Sequence, residues 1–322
     1  MVRLITKFMP LWIVVCSVVA FWKPAWFQDL HGWTGPALGL VLFFMGLSLK
    51  TESIWQVIRN PRAMFIGILL KWTVTLGISI LIAYVAFRDV PEMATGVILA
   101  GAVPSGTSAN LYTFMANGAA ALSIAMSAID TFIGPFLTPL IVKVSAGTFV
   151  DVQFWPLFAR MVLIVFLPIC LGLLIQWKWG QHVERVRPWM PVLSALCLFT
   201  IVLAVVSNSQ AMLAENIHLL PVLGVAVVIQ VTAPMWLGYK LAQWFGLKEE
   251  ECRAILFETG ICNTALAALL ALDHISAAAA VPAVANMVVN LSVGAYVALQ
   301  LSKKSLATNL SDNLTIQSRQ VK

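Results

Sequence analysis

The chain has 322 residues, of which 60% are hydrophobic and only 11% charged, with mean hydropathy +0.90. Soluble domains carry roughly 25% charge, so this composition cannot cover a water-exposed globule and excludes an ordinary soluble protein. The apolar runs are long and do not alternate with period two, so they are helices rather than the strands of a barrel.

With breaks taken at charged or Pro/Gly-rich stretches, spans fall near 8–22, 35–49, 63–87, 91–116 and 119–142. A second set follows near 157–177, 188–207, 217–245, 252–272 and 276–301. The first span follows Arg3 and Lys7 and resembles a signal peptide; nine further spans make a retained helix the better reading. Fifteen Lys and Arg collect on one side of these spans, including Arg3, Lys7, Lys50, Arg59, Arg62, Lys178 and Lys248. Lys23, Arg88, Lys143 and Arg160 are the four on the other side, and Lys71 is unassigned. The positive-inside rule then places both termini in the cytoplasm. The sequence pI of about 9.2 reflects this topology, not nucleic-acid binding. Residues 305–322 are polar and read as a disordered cytoplasmic tail. Glu249-Glu250-Glu251 reads as a solvated helix start. The five cysteines sit in or beside apolar runs without a CxxC pair and read as small core residues.

Two spans are interrupted alike, one at Pro104-Ser105-Gly106-Thr107-Ser108-Ala109-Asn110 and one at Glu258-Thr259-Gly260-Ile261-Cys262-Asn263-Thr264. Gly106 aligns with Gly260, Ser105 with Thr259 and Asn110 with Thr264, at a constant offset of 154 residues. Each half, 1–150 and 151–304, then holds five spans, and an odd number requires the second copy to be inverted. The expected fold is an all-α membrane protein of ten transmembrane helices in two inverted five-helix repeats, with helices 4 and 9 broken. Broken helices at matching positions of inverted repeats point to a transporter's binding site. The competing reading is that Gly and Pro are simply common in membrane helices.

Lys71, Asp130 and Glu258 lie well inside spans. Each costs roughly 2.5–3.5 kcal/mol or more at the bilayer centre unless partnered or wetted. Lys71 is too deep to snorkel easily, unless a kink brings it to the interface. On span 5, Ser123, Ser127, Asp130 and Thr131 share one helical face; back-bonding to their own helix is the competing use of such hydroxyls. With Asn110 and Glu258 they form a set of neutral oxygens around one carboxylate, which suits a monovalent hard cation. Asn286 and Asn290 add amides four apart on span 10. The half-helix N-termini at the breaks suit a carboxylate or similar anion. The four histidines fall at span ends, and HExxH, GxSxG and P-loop patterns are absent. An intramembrane enzyme would rest on Lys71 with a serine at the breaks, and a passive channel does not need inverted broken helices. The expected partners are a small organic anion, sodium as coupling ion and the lipid bilayer. No cofactor, nucleic acid or obligate protein partner is expected.

These stretches, with Gly96-Val97-Ile98-Leu99-Ala100-Gly101, Ala265-Leu266-Ala267-Ala268 and Phe43-Phe44-Met45-Gly46-Leu47-Ser48-Leu49-Lys50, resemble the bile acid:sodium symporter family over nearly the whole chain. The resemblance implies a panel domain of spans 1, 2, 6 and 7 and a core domain of spans 3–5 and 8–10, with spans 4 and 9 crossing at their breaks. It implies a sodium site at Asn110, Ser123, Ser127 and Glu258, with Ala109 where relatives have a serine. At a second sodium site relatives carry two glutamines; Lys71 and Cys262 stand there instead, and neither is an oxygen ligand. The expectation is that the Lys71 ammonium replaces the second sodium, as a tethered cation beside Glu258. Within the family the chain looks closest to bacterial carriers of pantothenate, ketopantoate and pantoate, in the inner membrane; bile acids or other organic anions are the alternative. Such carboxylates would meet Thr107, Ser108, Ala109, Asn263, Thr264 and Asn290.

Overall fold

The computed structural model describes residues 8–48, 61–215 and 217–320, with side chains through Lys303 except Met212. Arg3, Lys7, Lys50, Arg59 and Lys322, which contribute to the orientation reading, lie outside the described residues. We number the helices α1 (Met9–Trp22), α2 (His31–Ser48), α3 (Pro61–Ala86), α4 (Pro91–Gly101), α5 (Thr107–Met115) and α6 (Ala120–Ala146). There follow α7 (Phe154–Val186), α8 (Met190–Asn208), α9 (Leu220–Trp244), α10 (Glu249–Gly260), α11 (Thr264–His274) and α12 (Ala277–Gln320). The described residues form no named strand. Among the described residues, seven helices are long and apolar enough to cross a membrane, and α1 and α11 are shorter apolar helices. The protein is an all-α membrane protein.

Helix α2 packs against α7 and α8, and α8 against α1, forming one group; α3–α6 with α9–α12 form the second, which α1 meets at α12 and α7 at α6. Contact within each group is close because small residues face each other. A Cβ on Gly46 would lie 3.1 Å from the Cα of Gly172, so α2 and α7 meet backbone to backbone. Without a hydrophobic force between helices in lipid, such close approach supplies the packing attraction.

Both predicted interruptions are present. The helical ladder stops at Gly101 and resumes at Thr107, and it stops at Gly260 and resumes at Thr264. Pro104 cannot donate to a continuing helix. In α3 the regular helix gives way to a π turn over Lys71–Thr75. A regular helix would turn Lys71 and Trp72 about 100° apart, yet Lys71, Trp72 and Thr75 are all buried.

The last helix is drawn to Gln320. One expectation needs correction: the acidic start of α10 is more than a solvated run. The Lys248 N–H donates to Glu251, capping the helix, and Glu249 accepts from Arg253 Nε at 2.9 Å and from Tyr239 OH at 2.8 Å.

Candidate functional site

The two interruptions meet. Ser105 and Cys262 form an antiparallel bridge, Gly106 N donates to Ile261 O at 2.9 Å, and Asn263 N donates to Pro104 O at 2.8 Å. These bonds satisfy backbone groups that the broken helices would otherwise leave open inside lipid. Gly106 is required here, since a Cβ would lie 2.9 Å from the carbonyl oxygen of Cys262.

Beside the crossing, Asn110, Ser123, Ser127 and Glu258 come together. Ser123 Oγ lies 2.5 Å from Glu258 Oε1 and 2.7 Å from Asn110 Oδ1. Ser127 Oγ lies 3.0 and 3.1 Å from the two Glu258 oxygens and 3.2 Å from Asn110 Oδ1. Glu258, Ser123 and Ser127 are fully buried. Each hydroxyl carries one proton, and that of Ser105, whose side chain also interacts with Glu258, goes to Asp130, so the Ser123 and Ser127 protons cannot satisfy all three acceptor oxygens. Surplus oxygen lone pairs around one carboxylate are the donor set that a monovalent hard cation requires. Thr113 Oγ1, 3.2 Å from Ser123 Oγ, backs the cluster from α5.

Not all the predicted face joins it. Thr131 Oγ1 donates to its own helix at Ser127 O, 2.6 Å away, which is the back-bonding alternative. Asp130 turns to the crossing: Oδ2 accepts from Ser105 N and Ser105 Oγ, both at 3.0 Å, and Oδ1 accepts from Trp72 Nε1 at 2.5 Å. Lys71 does not sit against Glu258 as expected. Its ammonium donates to Cys262 Sγ at 2.9 Å. Lys71 and Trp72 both lie in the π turn of α3 and are both buried at the crossing.

A cavity of about 60 Å³ opens at the crossing between Val41, Leu42 and Leu198 of the first helix group and Thr107, Ser108, Cys262, Asn263, Thr264 and Asn290 of the second. Thr107 N and Ser108 N have no acceptor among the described residues and open α5 at the cavity. Ala109, by contrast, is fully buried with its N–H on Gly106 O. Asn263 N and Thr264 N are engaged by Pro104 O and Cys262 O, and Asn263 Oδ1 caps α11 by accepting from Leu266 N. Asn290 Nδ2 donates to Cys262 O at 3.2 Å, leaving its Oδ1 buried without a partner.

Asn286 lies away from the cavity, in a polar chain that sequence reasoning missed. Its Nδ2 donates to Gln230 Oε1 at 2.8 Å, and Gln230 Nε2 donates to Ser79 Oγ and Val97 O. The available clue was Gln230 itself, an amide alone in an apolar run. Trp72 was legible on similar grounds, since a buried indole N–H needs an acceptor.

The sequence pattern of the sodium bile acid symporter family matches residues 35–216. The chain belongs to that family. It is 31% identical over 311 residues to the "uncharacterized sodium-dependent transporter YocS" of Bacillus subtilis (strain 168), covering 95% of each chain. It is 29% identical to the "probable sodium/metabolite cotransporter BASS1, chloroplastic" of Oryza sativa subsp. japonica, over 82% of this chain and 64% of that one. The ileal sodium/bile acid cotransporter of Homo sapiens is 27% identical, over 71% of this chain and 66% of its own. The relatives are named as transporters coupled to sodium, and this family member is a multi-pass membrane protein of the same kind.

Proposed function

We propose that the protein is a sodium-coupled symporter of a small organic anion, with pantothenate or its precursors ketopantoate and pantoate as substrates. One sodium ion binds at Asn110, Ser123, Ser127 and Glu258. The substrate carboxylate binds at the crossing, where the N–H groups of Thr107 and Ser108 offer charge-assisted hydrogen bonds. Thr264 and Asn290 bound the same cavity, with Ala109 and Asn263 shaping it through their own backbone and cap bonds. Lys71 is a tethered cation in place of a second sodium. The ten transmembrane helices comprise seven long ones, α1, and the broken pairs α4/α5 and α10/α11, in inverted halves 1–150 and 151–304. The group α1, α2, α7 and α8 is the panel against which the remaining core moves in alternating access. Both termini face the cytoplasm at a bacterial inner membrane.

The single observation that supports this most is the surplus of oxygen acceptors around Glu258, near a cavity lined by both helix interruptions. The experiment is uptake of radiolabelled pantoate, ketopantoate and pantothenate by proteoliposomes, with an inward sodium gradient or choline in its place. Sodium-dependent accumulation of one of them is the expected result. Accumulation of taurocholate instead overturns the substrate, and accumulation indifferent to sodium overturns the coupling.

A further inference from the structure

Ser105 and Cys262 are paired across the crossing, and each is also held by a buried charge from a neighbouring helix. Asp130 of α6 takes Ser105 through both its N–H and its hydroxyl. Lys71 of α3 takes Cys262. Both charges are almost wholly buried, Asp130 at 2% and Lys71 at 1% exposure. Trp72, the neighbour of Lys71, donates to the remaining Asp130 oxygen, so one π turn of α3 delivers partners to both sides of the crossing.

We propose that Asp130 is a positioning residue: it is the fixed counter-charge of Lys71, and together they lock the Ser105–Cys262 pairing without a mobile ion. The inference rests on the reading of the Glu258 cluster as a sodium site. Burying one charge alone is prohibitive, whereas two opposite charges in one low-dielectric crossing offset each other. Lys71 and Asp130 are joined through the Ser105–Cys262 bridge and through Trp72, the chain neighbour of Lys71, which donates to Asp130. A thiol is a weak acceptor for an ammonium, so Cys262 orients Lys71 but does not neutralise it. Asp130 does. Glu258 takes the Ser123 and Ser127 hydroxyls and also interacts with the Ser105 side chain, so two carboxylates, Asp130 and Glu258, share the region with the single Lys71 ammonium, and neither has a direct ion pair among the described residues. The crossing is therefore self-neutralised at Asp130 and needs one external cation at Glu258. This also fixes the N-terminus of α5 one residue beyond Gly106, where Thr107 and Ser108 present their N–H groups.

The test is sodium binding itself, read as the thermal shift of the purified full-length protein titrated with sodium chloride against choline chloride at constant ionic strength. The wild type is expected to saturate with a Hill coefficient near one. Asp130→Asn leaves Lys71 uncompensated beside the sodium site and raises half-saturation at least about tenfold, the effect of roughly 1.4 kcal/mol. Lys71→Met frees the Asp130 carboxylate for a second sodium and moves the Hill coefficient towards two. The double variant Lys71→Met/Asp130→Asn returns half-saturation to within about threefold of wild type, since the pair is removed whole. A merely structural pair would alter melting temperature but leave sodium half-saturation alone. Unchanged half-saturation in Asp130→Asn, or a double variant as impaired as that single one, overturns the proposal. If the single variants do not fold, a double variant that folds and binds sodium supports it, and one that does not fold overturns it. A wild-type sodium shift that is absent, or is untouched by Glu258→Gln, defeats the underlying sodium-site reading instead.

Discussion

Ser123 Oγ stands 2.5 Å from Glu258 Oε1 while also facing Asn110 Oδ1 at 2.7 Å, so its single proton cannot serve both. A cation at this point would draw all these oxygens together without needing any proton. Ser123→Ala removes one neutral ligand and is expected to raise the sodium concentration for half-maximal uptake about tenfold, in the range of one charge-assisted contact. Glu258→Gln removes the only carboxylate of the set and should abolish sodium-dependent accumulation, while the protein still reaches the membrane. Sodium titrations of uptake by the two variants check this. Wild-type sodium dependence in Glu258→Gln would refute the assignment.

Gly106 and Gly224 give a paired prediction about the crossing. A methyl group at Gly106 would lie 2.9 Å from Cys262 O, a backbone atom that cannot swing away, whereas Gly224 has nothing within 4 Å. Overpacking of this kind costs about 1–3 kcal/mol. Gly106→Ala should therefore lower the melting temperature in detergent and cut uptake by at least about tenfold. Gly224→Ala, on the same kind of helix, should leave both near wild type. Equal behaviour of the two would show that the approach at Gly106 is not tight.

The helices were legible because lipid demands continuous apolar runs, and the interruptions because Pro104-Ser105-Gly106 and Gly260-Ile261 cannot sustain a ladder there. The cation cluster was legible as chemistry: one carboxylate among hydroxyl and amide oxygens. What spacing could not tell was where each polar side chain on the shared face of α6 would turn. Asp130 lies three residues from Ser127, yet it reaches Ser105 and Trp72 because those groups bring N–H donors from other helices. Thr131 has a partner in its own backbone and needs no other. Lys71 was expected against Glu258, but its ammonium is taken by Cys262, four residues further along the chain than Glu258. The partnership of Gln230 with Asn286 and Ser79 joins residues far apart in the chain, which one sequence does not pair.

The N–H groups of Thr107 and Ser108 make a prediction about the ligand's charge. They open α5 towards the cavity, where the partial positive charge of a helix start adds to their hydrogen bonds. A carboxylate gains charge-assisted bonds there that a neutral group cannot form. In competition uptake assays, methyl esters or amides of a transported acid should inhibit at least about tenfold more weakly than the free acid. Equal inhibition by ester and acid would place the carboxylate elsewhere.

Arg160 of α7 and Asp273 of α11 join the two helix groups directly. Arg160 Nε and Nη2 donate to Asp273 Oδ2 at 3.0 and 2.7 Å, and His31 Nε2 of α2 lies 3.6 Å from Oδ1, where it pairs only if protonated. On the proposed orientation this contact lies on the outer side, and opening the crossing to that side must break it. The Asp273 side chain is 10% exposed and that of Arg160 36%. Solvent screening holds the pair to about 1 kcal/mol, or roughly a fivefold bias. Asp273→Asn should therefore favour the outward-open state by about that factor. The measurement is the labelling rate of a cysteine at Leu198, which lines the cavity, by a membrane-impermeant thiol reagent added outside. A cysteine-depleted background retains Cys262, and a matched sample without Leu198→Cys gives its own labelling. Arg160→Gln should accelerate labelling similarly, and combining it with Asp273→Asn should add nothing, because both remove one interaction. Labelling unchanged in Asp273→Asn, or effects of the two substitutions that simply add, would show that this ion pair does not hold the two groups together.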